Sequence, residues 1–151
     1  MKAHAAMTRD VVCIAPADDL DAAHAIMERL SVRHLPVLDG ETLVGILSDR
    51  DVLLFAQLEE DELVVPSIPV EHVMTPTPIT VGPNATVGAV ADLMLTHKID
   101  SVPVVEPNGR LIGLVTSSDL LELLRTRDDR ETKVLPFDWR VRTNALGSAV
   151  A

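Results

Sequence analysis

One residue plan occurs twice in this chain, and the duplication limits what the chain can fold into. Met7-Thr8 recurs as Met74-Thr75, and Pro36-Val37 recurs as Pro103-Val104, at a constant offset of 67 residues. After one inserted residue near Gly109 the offset becomes 68. Each unit is too short to bury a large core alone. The pattern therefore predicts two similar units that pack around a pseudo-twofold axis, where clefts are natural ligand sites.

Composition excludes one class of partner. The chain has 151 residues, of which 47% are hydrophobic, enough for one module built from two half-units. Its formal net charge is -10, with 13 basic residues scattered among 23 acidic ones. Nucleic-acid binding needs a continuous basic surface, and single strands also need aromatic side chains, which make up only 2% of this chain. We therefore expect no nucleic-acid partner.

Cysteine usage and hydropathy indicate the compartment. Cys13 is the only cysteine, so the chain cannot form an internal disulfide, which is typical of a reducing compartment. The sequence shows no basic segment followed by a long apolar one, and no apolar run of membrane-spanning length. We expect a cytoplasmic protein without a membrane partner.

Apolar spacing and turn residues predict the same order of elements, β-α-β-β-α, in both copies. In the first copy these are an edge strand at 11–14, a helix at 20–30, strands at 35–38 and 43–47, and a helix from Asp51 to about Leu58. The second copy repeats the hairpin at 102–105 and 111–115 and a helix from Asp119 to about Arg125. The predicted fold class is α+β. The predicted domains are repeat 1 at 1–58, a linker at 59–70, repeat 2 at 71–126 and a polar tail at 127–151.

The connecting and terminal segments carry less information. The acidic run at 59–62 is expected to be a solvated part of the linker, where prolines disfavour a long helix. Phe137 and Trp139 stand in the otherwise unpatterned tail. Two interpretations of the tail stay open: it docks on the body or on a neighbouring subunit, or it is disordered.

A motif of glycine, two apolar residues, Ser or Thr, and Asp three residues later ends the second hairpin strand of each copy. It runs from Gly45 through Ser48 to Asp51, and from Gly113 through Thr116 to Asp119. One interpretation is a capping arrangement that only starts a helix. The other is a nucleotide site, in which the hydroxyl and the helix N-terminus suit phosphate and the carboxylate accepts ribose hydroxyls.

These features together resemble tandem CBS domains, named after cystathionine β-synthase, which form a Bateman module. The resemblance rests on the duplicated unit, the Met-Thr openings, the Pro-Val steps and the two motifs, and covers about residues 4–125. It implies two repeats packed with pseudo-twofold symmetry and two symmetry-related clefts that bind adenosine compounds in many members. It also implies a homodimer, a flat disk formed through the helices.

The resemblance assigns site residues to two clefts, named here the Asp51 cleft and the Asp119 cleft. Ser48 and Asp51 resemble the phosphate and ribose contacts of the first cleft, and Thr116 and Asp119 those of the second. The family's crossed geometry implies that each cleft borrows a segment from the other copy. The borrowed segments are Ile79-Thr80 for the Asp51 cleft and Val12-Cys13-Ile14 for the Asp119 cleft, and the candidate adenine walls are Leu35, Pro36, Val102 and Pro103.

The two copies differ in charge at the positions expected to face phosphate. Arg33, His34 and Arg50 of the first copy correspond to Asp100, Ser101 and Ser118 of the second. Because Arg binds phosphate with two parallel hydrogen bonds, we expect the Asp51 cleft to take a polyanion. With Asp100 in the Asp119 cleft, we expect that cleft to be empty, to bind weakly or to prefer a less anionic compound. The alternative for Arg33 and Arg50 is ordinary surface ion pairing.

The resulting functional prediction is a regulatory sensor of AMP, ADP or ATP, with S-adenosylmethionine also possible, that signals to an unidentified protein partner through conformational change. The sequence contains no activated nucleophile, no metal-ligand spacing of histidines and no glycine-lysine phosphate loop, so we expect neither an enzyme, a catalytic cofactor nor a metal site. The alternative is a ligand-free structural, docking or oligomerisation module for a partner enzyme or transporter.

Overall fold

The structure, a computed structural model, describes residues 1–126. In chain order its helices and strands are α1 (Ala3–Ala6), α2 (Leu20–Leu30), β1 (His34–Asp39), β2 (Thr42–Ser48), α3 (Asp49–Phe55), β3 (Gln57–Glu59), β4 (Glu62–Val64), β5 (Thr75–Pro76), α4 (Val87–His97), β6 (Ser101–Val105), β7 (Leu111–Thr116) and α5 (Ser117–Thr126). The predicted tail, with Phe137 and Trp139, lies outside the described residues. No helix within residues 1–126 is long and apolar enough to cross a membrane.

Both predicted hairpins are confirmed. Strands β1 and β2 pair antiparallel with Leu35 opposite Leu47, and β6 and β7 pair with Val102 opposite Val115. Gly40, in the turn of the first hairpin, has a φ of 61°, a conformation that glycine adopts without a steric penalty. With α2 and α4 preceding the hairpins and α3 and α5 following them, the predicted α+β fold class is confirmed.

The predicted edge strand at 11–14 was wrong, because only Ile14 pairs. Its amide donates to the Pro36 carbonyl at 3.0 Å and its carbonyl accepts from the Leu38 amide at 2.8 Å, which makes a single parallel bridge beside β1. Pro16 has no amide with which to continue a ladder beyond that point. The residues before Ile14 instead approach a cleft described below.

The first copy's last helix is shorter than predicted, and a hairpin follows it. The helix α3 ends at Phe55, and β3 and β4 pair antiparallel through the predicted acidic linker. Glu60 and Asp61 form the turn with φ values of 48° and 68°. Two-residue turns of this kind favour Gly and Asn, so acidic residues at both positions concealed the hairpin. The acidic run is exposed, as expected.

Two separate clusters of buried aliphatic side chains form the core. Each cluster contains one hairpin and the helix that precedes it. The first holds Ile14, Leu20, Ala23, Met27, Leu35, Val37, Leu47, Val52 and Val70. The second holds Ala3, Val90, Met94, Val102, Val104 and Val115.

The two copies exchange their opening segments. Ala3 is completely buried in the second core, and Thr8 pairs with Leu114 of β7. Conversely Val70 is completely buried in the first core, and Thr75 pairs with Ile46 of β2. Residues 1–8 and 65–76 are therefore called the exchanged segments. The predicted domain boundaries remain a prediction about units of sequence, whereas packing joins each exchanged segment to the opposite copy.

The glycine of each motif makes room for this exchange. A Cβ on Gly113 would overlap the Met7 sulfur and lie 2.9 Å from the Thr8 carbonyl oxygen, and a Cβ on Gly45 would overlap the Met74 sulfur. The methionine and glycine of the repeat plan are thus the two sides of one contact, each methionine packing on the glycine of the other copy.

We expect Gly113→Ala to lower the free energy of unfolding by about 1–3 kcal/mol, because the added methyl group overpacks a contact bounded by the backbone of Thr8. Gly45→Ala should cost less, since the nearest backbone oxygen there, that of Thr75, lies 3.1 Å from the new Cβ. Urea denaturation measures both. Gly82→Ala is the control, since its Cβ would meet no atom within 4 Å; equal effects from all three changes would contradict the packing argument.

Candidate functional site

Two clefts lie between the copies. The Asp51 cleft has a volume of about 290 Å³ and is lined by His34, Ile46, Ser48, Asp49, Arg50 and Asp51 of the first copy, and by Thr75, Thr77, Pro78, Ile79, Lys98, Ile99, Asp100 and Ser101 of the second. The Asp119 cleft has a volume of about 420 Å³ and is lined by Leu114, Thr116 and Ser118 of the second copy, and by Thr8, Asp10, Val11, Val12 and residues 30–35 of the first.

The two clefts are equivalent under the sequence repeat. Thr8 and Ser31 in the Asp119 cleft correspond to Thr75 and Lys98 in the Asp51 cleft, and Thr116 corresponds to Ser48. Each cleft therefore combines the Gly-to-Asp motif of one copy, at 45–51 or 113–119 and called here the helix-start motif, with two parts of the other copy. These are the opening segment of that copy and the end of its helix α2 or α4. The composite character follows from the exchanged segments, which carry residues 8 and 75 across.

Both motif acids cap the helices that they begin. Asp51 accepts a hydrogen bond from the Ser48 amide at 2.9 Å, while the Ser48 hydroxyl accepts one from the Asp51 amide at 3.1 Å. Asp119 Oδ2 accepts from the Thr116 amide and from its hydroxyl, both at 2.7 Å. The capping interpretation is thus correct in both copies. It uses only Oδ2, and Oδ1 of each carboxylate makes no hydrogen bond within residues 1–126.

Part of the predicted set lines the clefts. In the Asp51 cleft these residues are Ser48, Arg50, Asp51, His34 and Ile79; in the Asp119 cleft they are Thr116, Ser118, Val12 and Leu35. Asp119 does not line the cleft itself. Its carboxylate accepts hydrogen bonds from Thr116, and Thr116 does line the cleft.

Several predicted wall residues were wrong. Pro36, Val102 and Pro103 are fully buried and line neither cleft. Ile14 is also buried, and Thr80 is exposed outside the Asp51 cleft. The Cys13 thiol contacts the Val11 carbonyl at 3.6 Å and does not line the Asp119 cleft.

The predicted distribution of charge was also wrong. Arg33 lines the Asp119 cleft, whereas Asp100 and Ser101 line the Asp51 cleft. The prediction assigned only the first-strand segments to the cleft of the opposite copy. In the structure the residues before each Pro-Val step also line the cleft that contains the other copy's helix-start motif.

Arg50 and Asp100 form an ion pair across the Asp51 cleft. Arg50 Nη2 lies 2.9 Å from Asp100 Oδ2, and the two side chains are 72% and 33% exposed. The pair links the start of α3 in the first copy to the residue before β6 in the second. In the Asp119 cleft the corresponding residues are Ser118 and Arg33, which cannot form such a pair.

His34 lines both clefts. Burial lowers the pKa of His34 below its usual value; the charges of Asp49 and Asp100 oppose this shift, while those of Arg33 and Arg50 add to it. The imidazole is therefore held in its neutral form at neutral pH. A negative charge placed in either cleft would favour its protonated form.

Sequence reasoning missed further lining residues, some from the copy that carries the motif and some from the opposite copy. They are Ile46, Asp49, Thr75, Thr77, Pro78, Lys98 and Ile99 in the Asp51 cleft, and Thr8, Asp10, Val11, residues 30–32 and Leu114 in the Asp119 cleft. Several of them belong to the repeat plan itself, such as the threonine of each Met-Thr opening. The recurrence of this threonine in both copies was the available signal. It was interpreted as the start of each unit and not as a lining residue of the opposite copy's cleft.

Known proteins resemble this chain over most of its length. Inosine-5'-monophosphate dehydrogenase of Korarchaeum cryptofilum is 39% identical over 146 residues, which is 91% of this chain and 29% of the dehydrogenase. The CBS domain pair of protein MJ0100, solved with 5'-methylthioadenosine and S-adenosyl-L-methionine, has a TM-score of 0.72 and 26% identity, covering 83% of this chain and 96% of the other. CBSX2, solved in complex with AMP, has a TM-score of 0.70 and 28% identity, covering 82% and 96%.

The extent of these matches defines what is shared. This chain spans less than a third of the length of the dehydrogenase relatives. In contrast it covers nearly all of the two solved CBS structures. The CBS domain family matches twice, at residues 3–57 and 70–126. With its two repeats, two composite clefts and paired helix-start motifs, this chain belongs to the CBS domain family as a tandem CBS pair.

Proposed function

We propose that this protein is a regulatory module that binds adenosine compounds in the two composite clefts. The observation that carries the proposal is the duplicated helix-start motif, whose two carboxylates each keep an unengaged Oδ1. Asp51 lines its cleft directly, and Asp119 holds Thr116 in the lining of the other. A carboxylate oxygen in that position can accept a hydrogen bond from a ribose hydroxyl. Similar CBS pairs solved with AMP, and with 5'-methylthioadenosine and S-adenosylmethionine, support an adenosine ligand.

The clefts also suit a regulatory role. Because each cleft is made from both copies, a bound ligand contacts both and favours the relative orientation in which those contacts are best. Occupancy is then communicated to a protein partner as a change in that orientation. The similarity to dehydrogenases covers less than a third of their length, which favours a regulatory role over a catalytic one for the shared part.

We further propose a homodimer formed through the helices. Four helical leucines, Leu54, Leu95, Leu121 and Leu124, are 81%, 70%, 64% and 60% exposed. Leu95 and Leu121 flank an apolar groove of about 520 Å³ between α4 and α5. Exposed leucines on the neighbouring helices α4 and α5 favour burial against a second copy.

The ribose role predicts the effect of Asp51→Asn combined with Asp119→Asn. Asparagine retains an oxygen that can accept from the Ser48 or Thr116 amide, so the helix caps persist, whereas the carboxylate is lost. With AMP, ADP, ATP or S-adenosylmethionine at about 100 times its Kd, the wild-type protein should gain about 2.7 kcal/mol of stability. Thermal melting should show this gain in the wild type and a gain near zero in the double variant.

Asp49→Asn is the matched control for this experiment. Asp49 lines the same cleft, but its carboxylate accepts from the Arg50 amide at 2.9 Å and lies outside the repeated motif. The ligand-induced gain should persist in this variant. A full gain in the double variant would contradict the ribose role, and no gain in the wild type with any of the four compounds would contradict the proposed function.

The position of His34 predicts that AMP binds more tightly as the pH falls below neutrality. In the free protein His34 titrates below its usual pKa, and a nearby phosphate raises the pKa of His34 by favouring the imidazolium. Binding therefore takes up a proton in the window between the two pKa values, and affinity rises as the pH falls through it. Calorimetry in two buffers of different ionisation enthalpy measures the uptake.

His34→Gln provides the comparison, since the phosphate of AMP titrates equally in both proteins. The variant should bind AMP with less proton uptake and a weaker pH dependence than the wild type. Equal uptake in the two proteins would show that His34 is not linked to the ligand.

The dimer predicts that Leu121→Glu produces a monomer, because the new charge would have to be buried in the interface. Light scattering at micromolar concentration should give a dimer for the wild type and a monomer for the variant. Leu58→Glu is the control, since Leu58 is 71% exposed and lies on the β3–β4 hairpin, not on a helix. A monomeric wild type, or equal dissociation in both variants, would remove the proposed dimer.

A further inference from the structure

The two clefts present different charges to a ligand. In the Asp51 cleft, Arg50 is already paired with Asp100 at 2.9 Å. The remaining charged side chains in that lining are Lys98, Asp49 and Asp51. One cation therefore faces two carboxylates once the ion pair is taken into account, and the lining offers no excess of positive charge.

A phosphate entering the Asp51 cleft would meet an obstacle in Asp100. To bind Arg50 it would have to displace the Asp100 carboxylate, or approach Arg50 with that carboxylate 2.9 Å away. Because the pair is partly exposed, breaking it costs little in itself. The larger effect is the repulsion between the phosphate and the carboxylates of Asp100 and Asp49, which remain in the lining.

The Asp119 cleft lacks this obstacle. Its charged lining residues are Arg33 and Asp10, with His34 beside Arg33. Within residues 1–126, Arg33 forms no ion pair with an acidic side chain. Its guanidinium is therefore available to a phosphate, which it can bind through two parallel hydrogen bonds. The position that holds Arg50 in the other cleft is here occupied by the uncharged Ser118.

We propose that the two clefts select adenosine ligands by charge: the Asp119 cleft takes phosphate-bearing compounds such as AMP through Arg33, and the Asp51 cleft, in which Arg50 is paired with Asp100, takes adenosine compounds without a phosphate. The inference rests on the proposed function and assigns a ligand class to each cleft. From the sequence we expected a polyanion in the Asp51 cleft. The inference assigns the phosphate to the Asp119 cleft instead, because Arg33 and Asp100 each lie in the cleft opposite to the one expected.

AMP and adenosine are the appropriate probes, since they differ only by the phosphate. With Asp51→Asn, which leaves the Asp119 cleft intact, calorimetry should show AMP binding at least tenfold more tightly than adenosine. With Asp119→Asn, which leaves the Asp51 cleft intact, the two affinities should agree within about threefold. Adding Asp100→Ser to the second variant should tighten AMP about tenfold and leave adenosine unchanged.

Two substitutions outside the helix caps also test the inference. Arg33→Ser should abolish the tight AMP site of the otherwise wild-type protein while adenosine still binds. Asp100→Ser should add a second tight AMP site. Unchanged AMP affinity in both variants, or an AMP preference at the Asp51 cleft with Asp100 present, would overturn the inference. If neither AMP nor adenosine binds the wild-type protein, the inference is overturned; the proposed function fails with it only when ADP, ATP and S-adenosylmethionine also give no gain in thermal melting.

Discussion

The contact between each motif glycine and the methionine of the opposite copy is the constraint on which the rest of the structure depends. Met7 packs on Gly113 and Met74 on Gly45, so closely that a methyl group on either glycine would overlap the sulfur. The contact holds Thr8 beside β7 and Thr75 beside β2. Because the opening segments cross in this way, each core is completed by the other copy's sequence, and neither cleft belongs to one repeat.

The helix-start motif shows how structural and chemical roles coexist in one residue. The carboxylates of Asp51 and Asp119 complete their caps through Oδ2, a contribution worth on the order of 1 kcal/mol per helix. The remaining oxygen is directed by the same geometry, because the cap fixes the side-chain rotamer. A carboxylate oriented before any ligand arrives loses little conformational freedom on binding. Capping and ligand binding are therefore compatible uses of the same side chain.

The two clefts differ in the charges that line them. Both clefts are assembled from corresponding positions, yet Asp100 stands where the other cleft has Arg33, and Arg50 stands where the other has Ser118. These exchanges put opposite charges together in one cleft and leave an arginine in the other without an ion pair among the described residues. A duplicated fold can thus acquire two different sites by a few substitutions at matched positions.

The sequence by itself determined the repeat, the α+β class, both central hairpins and the helix-start motifs, since these follow from apolar spacing, turn residues and capping residues that are local in the chain. The resemblance to CBS domains also implied that the clefts would be crossed. Only the tertiary structure decided which copy supplies the residues before each Pro-Val step, and hence that Arg33 and Asp100 lie in the opposite clefts from those predicted. It also revealed the β3–β4 hairpin, whose turn residues are not those that such turns favour. Long-range packing of the exchanged segments is the physical reason, because no local pattern records which of two similar partners a segment packs against.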